Sequence, residues 1–242
     1  FKNINDGNLD FVLGEKITKQ DKWHLYVMAD PQTNQTGKMC IPFFRDYMAT
    51  DIKALVENEG FNSAKDWNGQ RLAYGMVLGD VIWNSAKESY MGSMKEAMSP
   101  AKTGVSWFTV PGNHDWYATD YDTNPSLDCF HKIFGPTNYS FDRGDVHIVG
   151  MNNILTGPGI AVEDYNQGFT AEEYKWLQQD LALVPKDKCV VLCVHVSFFD
   201  GGSVNHNKYY TETLNLLKAY ANAYIFSGHK HYARQWFFGN YN

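Results

Sequence analysis

FTVPGNHDWY, residues 108–117, is the stretch on which the fold turns. An apolar run of strand length, 105–110, stops at Pro111, and the chain then offers an amide, an imidazole and a carboxylate: Asn113, His114 and Asp115. Gly112 precedes them, as Gly79 precedes Asp80 and Gly228 precedes His229, where the backbone must turn sharply out of the strand, which a residue without Cβ does at least steric cost. The same arrangement recurs outward in both directions. Upstream, a run at 23–29 ends in VMADPQTN (27–34) with Asp30 and Gln32 on either side of Pro31, and a run at 75–79 ends in MVLGD at Asp80. Downstream, the run at 189–195 ends in VLCVHVS at His195, and the run at 223–227 ends in YIFSGHKH at His229 and His231. Only the run at 146–151 delivers no such group. Taken alone, Asp30 reads as a strand-to-loop turn whose carboxylate satisfies local backbone N–H groups. Five such ends in one chain ask for a common cause.

Between the runs lie helical patterns. Spaced apolar positions among charges mark 43–59 and 87–98, TAEEYKWLQQDLALV (170–184) opens on a Thr170/Glu173 capping box, and a further amphipathic stretch covers 211–221. Strands alternating with helices predict an α/β fold with buried sheets. At 242 residues, without repeat, low-complexity tract or clear linker, the chain is read as one domain over 1–242. Open α/β sheets place ligands at the carboxyl ends of their strands, so the polar groups are expected to meet in one crevice. The segments 116–128 and 199–210 read as long functional loops.

Composition narrows the partners. With 44% hydrophobic and 15% aromatic residues the chain has the makeup of a folded protein. A formal charge of −6 and no Lys/Arg cluster disfavour nucleic acid. No apolar stretch approaches the roughly 20 residues of a membrane helix, and no leader with a cleavage site is visible. The start at Phe1 rather than Met suggests an upstream segment removed by processing or by the choice of end-points; the compartment is left open, a secreted or periplasmic one being expected only if a leader was removed. Cys189 and Cys193 fall on one face of a strand, too far apart to bridge, and are expected as core thiols. Cys40 and Cys129 are left as free thiols.

Carboxylates, imidazoles and amide oxygens suit divalent ions of intermediate hardness, and a carboxylate that bridges two ions offsets their repulsion. In an extended GHKH, His229 and His231 share one side and Lys230 takes the other. At this point the chain resembles the calcineurin-like metallophosphoesterases, from about residue 24 to 232. The motifs are Asp30 of a D-x-H-like element, GD at 79–80, GNHD at 112–115, His195 after an apolar strand, and GHKH at 228–231. The resemblance implies a central two-sheet β-sandwich flanked by helices, with two divalent metal ions (Mn, Fe, Zn or Mg) at the strand ends. It implies Asp30 and His231 on the first metal, Asp80 bridging, and Asn113, His195 and His229 on the second, with His114 as general acid oriented by Asp115. Gln32 stands where the commonest form has His. An amide oxygen is a harder and weaker donor, so the first site should favour Mn²⁺, Mg²⁺ or Ca²⁺ over Zn²⁺ or Fe. Branches of the superfamily carry a D-P-Q form, and Gln32 is kept as a ligand.

The expected chemistry is hydrolysis of a small-molecule or lipid-like phosphoester, with water activated between two cations and His114 protonating the leaving group. The alternatives are a nuclease or cyclic-nucleotide diesterase, a protein phosphatase using Arg45, Lys132 or Arg143, and a scaffold without chemistry. Trp83, Trp116 and Tyr117 rim the pocket or pack the loops, Phe198 and Phe199 favour the core, and Asn84 meets a phosphate oxygen or shapes a turn. His24, His131, His147 and His206 receive no role, since an isolated histidine is more often a surface or core-edge residue than a ligand.

Overall fold

The computed structural model describes residues 24–34, 40–58, 73–83, 87–116, 126–156, 164–201 and 203–238. Asn84, Tyr117 and the start at Phe1 lie outside them. Two sheets carry the fold. In the first, β1 (Leu25–Met28), β2 (Ala73–Leu78) and β3 (Val105–Val110) run parallel in that order. The second has the order β11-β8-β5-β4, from β4 (Tyr139–Arg143), β5 (Val146–Gly150), β8 (Cys189–Cys193) and β11 (Asn222–Phe226), with only β4 antiparallel to its neighbour. Two short ladders, β6 (Ile154–Leu155) with β7 (Asn166–Gln167) and β9 (Phe199–Asp200) with β10 (Ser203–Val204), lie outside the sheets.

Alternation along the strands separates the layers. Met76, Leu78 and Val110 of the first sheet meet Ile148, Val191 and Cys193 of the second in a core between the sheets. On the outer face of the first sheet, Val77 packs with the helices on that side. These begin with α1 (Ile41–Phe43), a π-helical stretch Phe44–Met48 and α2 (Ala49–Asn58), which form one run. They continue with α3 (Glu88–Ala97), α4 (Pro100–Thr103) and α5 (Asp128–Phe134). Val149, Val190 and Leu192 on the outer face of the second sheet are covered by α6 (Ala171–Ala182) and α7 (Tyr210–Leu217) through Leu177, Leu181, Leu214 and Leu217. The result is the helix–sheet–sheet–helix sandwich that the resemblance implied.

Local signals explain several boundaries. Thr170 accepts from Glu173 N at 3.1 Å and Glu173 Oε2 accepts from Thr170 N at 2.8 Å, the capping box read from sequence. The regular strand ends at Cys193, but Val194 N donates to the Phe226 carbonyl at 3.0 Å and the His195 carbonyl accepts from Gly228 N at 2.9 Å, so the run stays bonded beside β11 as far as the expected residue 195. An apolar-run criterion misses β4, because an edge strand alternates. Phe141 stacks on Phe108 at 4.3 Å, while Ser140 and Asp142 face out to bond Asp180 and His147. His147, with ring nitrogens 2.8 Å from Asp142 and 2.9 Å from Asp180, ties the β4–β5 hairpin to α6. All four cysteines are free; Cys189 and Cys193 share the inter-sheet face, where burial pushes the Cys193 thiol pKa far up. No helix among the described residues is long and apolar enough to cross a membrane.

Candidate metal centre

Parallel strands deliver their carboxyl ends to one side, and the polar groups after them converge there. Ligand atoms of Asp80, His195 and His229 lie within 4.8 Å of one another, as do those of Asp30, Asp80 and His231, so two groups share Asp80. The Leu78 carbonyl can only accept, so the Nδ1 of His195, 2.7 Å away, carries a proton. His195 Nε2 then faces Asn113 Oδ1 at 3.0 Å, His229 Nδ1 at 3.2 Å and Asp80 Oδ2 at 3.4 Å. Lone pairs from an amide oxygen, two imidazoles and a carboxylate thus crowd one point, a donor set that fits a divalent cation of intermediate hardness. On the other side, His231 Nε2 lies 3.4 Å from Asp30 Oδ1. Gln32 donates from Nε2 to Asp80 Oδ2 at 3.1 Å.

The backbone is strained at the same residues. Among the described residues, Asp30 (φ 49°), Gln32 (40°), Asp80 (51°), His229 (70°) and His231 (52°) are left-handed, and Tyr209 (65°) is the sixth non-glycine in that region. Each such residue costs on the order of 1–3 kcal/mol, and clustering of this kind accompanies function. Local bonds hold the conformations: both oxygens of Asp30 accept from His229 N, at 3.0 and 2.9 Å, and Gln32 N donates to the Asp80 carbonyl at 2.8 Å.

The glycines before the ligands act in two ways. Gly79 has φ 83° and makes the expected turn. Gly112, at φ −106° and ψ −177°, is extended, and Gly228 is not left-handed. Their expected role in turning is corrected to one of clearance. A Cβ on Gly112 would overlap Asp80 Oδ1 and N, and one on Gly228 would overlap Asp30 Oδ2.

His114 donates from its backbone N to Asp80 Oδ1 at 2.9 Å; its ring stacks on Trp83, centroids 4.8 Å apart, with Nε2 4.0 Å from Asp80 Oδ2. The expected hold of Asp115 on that ring is corrected. Asp115 is fully buried and spends its carboxylate on the backbone N–H groups of Gly112 (2.8 Å), Val81 (3.0 Å) and Ile82 (3.4 Å), so it positions the loop that bears His114 rather than the imidazole.

Two residues escaped the sequence reading. Asn153 Oδ1 accepts from His195 N at 3.2 Å and Val196 N at 3.0 Å, while its Nδ2 donates to the Val196 carbonyl at 2.8 Å. The signal was there, because Asn152 and Asn153 follow the one run credited with no polar group. Tyr165, whose hydroxyl is 3.3 Å from His229 Nε2, had none. Phe198 stacks on Tyr210 at 3.9 Å in the core, as favoured, and Phe199 on Trp236 at 6.5 Å.

Burial and charge set the protonation of the group. Burial, with His195 close by, pushes the His229 pKa down to about 4, leaving the neutral imidazole a cation requires. Burial opposes charge on both Asp80 and His195, but each stabilises the other's charge, lowering the pKa of Asp80 and raising that of His195. Burial raises Asp30, and burial together with the charge of Asp80 raises Asp115 to about 7.

Comparisons with known proteins bear on the family and the fold. A profile of the family described as calcineurin-like phosphoesterase matches residues 24–233. No curated protein matches in sequence. Among solved structures, a purple acid phosphatase isolated from yellow lupin (Lupinus luteus) seeds is similar at a TM-score of 0.56 and 14% identity, over 86% of this chain and 37% of that one. Phosphopantetheinyl hydrolase from Mycobacterium tuberculosis is similar at 0.48 and 12%, over 88% and 85%. The chain thus spans 37% of the lupin protein's length, and that likeness shows a shared fold alone. With 24–233 matched and the sandwich and its strand ends as described, the chain belongs to the calcineurin-like phosphoesterase family.

Proposed function

We propose that this chain hydrolyses a phosphoric ester with the help of two divalent cations. The observation that carries the reading is the pair of ligand groups joined through Asp80. Asp30, Gln32 and His231 would hold one cation, Asn113, His195 and His229 the other, and Asp80 would bridge. Gln32 would have to rotate its amide so that oxygen replaces the N–H now given to Asp80. When bound, such cations draw in phosphoryl oxygens and lower the pKa of water toward neutrality.

The remaining chemistry belongs to the chain. Asp80 and His195 are buried, Asp80 held by the His114 backbone and His195 by Leu78 and Asn153, so little reorganisation of these two accompanies binding. His114, its side chain 28% exposed and its ring held flat against Trp83, can carry a proton between solvent and the departing oxygen. The protein-phosphatase alternative gains no support from its cations: Arg45 pairs with Asp46, Lys132 with Glu88, and Arg143 lies over Tyr74.

The test is turnover of a chromogenic monoester and diester with Mn²⁺, Zn²⁺, Mg²⁺ and Fe, beside metal analysis. His114→Ala is expected to keep its metal but lose roughly 10²–10⁴-fold in turnover of alkyl esters. The loss should be smaller on aryl esters, whose leaving groups need less protonation; turnover unchanged by the substitution would remove His114 from the mechanism. Gln32→His is expected to tighten Zn²⁺ at the first site by on the order of tenfold in a chelator competition, imidazole being the softer donor.

A further inference from the structure

We infer that the hydroxyl of Tyr165 positions His229, bonding its Nε2 so that Nδ1 is the nitrogen left for a cation; the cation itself rests on the two-cation reading above. The two ring nitrogens of His229 face different partners. Nδ1 lies 3.2 Å from His195 Nε2, the atom that Asn113 Oδ1 and Asp80 Oδ2 also approach. Nε2 lies 3.3 Å from the Tyr165 hydroxyl, and the two rings meet edge to face at 83°, centroids 6.2 Å apart. A neutral imidazole that gives one nitrogen to a metal carries its proton on the other, and that N–H needs an acceptor. The phenol oxygen supplies one. His195 is served in the same manner, since the Leu78 carbonyl takes its Nδ1 proton and leaves Nε2 for the centre. Each imidazole of the Asn113, His195 and His229 group thus has its far nitrogen held.

The fold gives Tyr165 a fixed place from which to do this. It directly precedes β7, which pairs with β6 through Gln167 opposite Ile154 and Asn166 opposite Leu155. Just after that short strand, Gly168 N donates to the Asn153 carbonyl and Phe169 N to the Lys208 carbonyl, each at 3.1 Å. Asn153 is also the residue whose side chain accepts from the backbone of His195 and Val196. One residue therefore anchors both histidines of the group: His195 through its amide oxygen, and His229 through the segment that brings Tyr165 to it. A hydrogen-bond partner of this kind fixes the tautomer and the orientation of a metal-ligating ring, and its loss is felt as affinity.

The test is Tyr165→Phe, which keeps the ring and removes only the oxygen. Calorimetric titration with Mn²⁺ should show one of two binding steps weakened about 10- to 100-fold, the usual effect of losing a group that orients a metal-ligating histidine, and the other step unchanged. In Zn²⁺-loaded protein, ¹⁵N NMR of the His229 ring should find Nδ1 on the metal and a proton on Nε2. In the variant that proton should move upfield or exchange with water too fast to be seen, a change that lost packing alone would not produce. Metal on Nε2, or Mn²⁺ steps that Tyr165→Phe leaves as they were, overturns the inference. If the unmodified protein takes up no cation, the two-cation reading fails by itself, and the metal-free protein decides whether Tyr165 holds the ring. A shift of the His229 Nε2 resonance in Tyr165→Phe then supports that hold; an unmoved resonance overturns it.

Discussion

Asp80→Asn is expected to leave a folded protein that no longer holds its cations. Asp80 is 1% exposed and is the one residue common to both ligand groups, so on the proposed reading its charge would let two like-charged ions sit together. Removing one partner from a buried charged pair costs about 3–5 kcal/mol, or on the order of 10²–10⁴-fold in affinity. Asparagine keeps the size of the side chain and an oxygen that can accept from His114 N, the 2.9 Å bond that joins the second and third strand ends. Folding should therefore survive while binding fails, which separates the two in one variant. Calorimetric titration with Mn²⁺ and metal analysis after purification would show it. Affinity within a factor of a few of the unmodified protein would mean that Asp80 does not bridge.

A methyl group at position 112 should do almost as much by an entirely different route. Gly112→Ala asks nothing unusual of the backbone, since φ −106° and ψ −177° is ordinary extended chain. Its Cβ, however, would occupy the space of Asp80 Oδ1 and N, and the Asp80 backbone is itself tied to Gln32 N at 2.8 Å. Overpacking against a fixed neighbour costs about 1–3 kcal/mol, which in a domain of this size lowers Tm by roughly 3–10 °C. The displaced carboxylate should take Mn²⁺ affinity down with it. A Gly112→Ala protein that melts and binds Mn²⁺ like the original would show that clearance is not what the glycine provides.

Both predictions rest on geometry at strand ends, and it is there that sequence and structure divide the information. Residues 105–110 announce a strand because apolar side chains must be buried, and Thr170 with Glu173 announces a helix start because both groups lie within a few residues of one another. Asp30, Asp80, Asn113, His195, His229 and His231 could be named as a set because each stands directly after such a run. The edge strand Tyr139–Arg143 was not legible, since its outward positions bond Asp180 and His147, partners that only a folded sheet supplies.

What the chain determined by itself was local: the period of its apolar residues, its caps, and the residue types that follow each strand. Tertiary structure alone decided which atoms those residues present and to whom. Asp115 turns from a neighbour of His114 in sequence into a clamp on the amides of Gly112, Val81 and Ile82, and Asn153, 42 residues away, becomes the support of His195. The physical reason is that hydrogen bonds, clearance and buried charge act over a few ångströms of space, a separation that position along the chain does not encode.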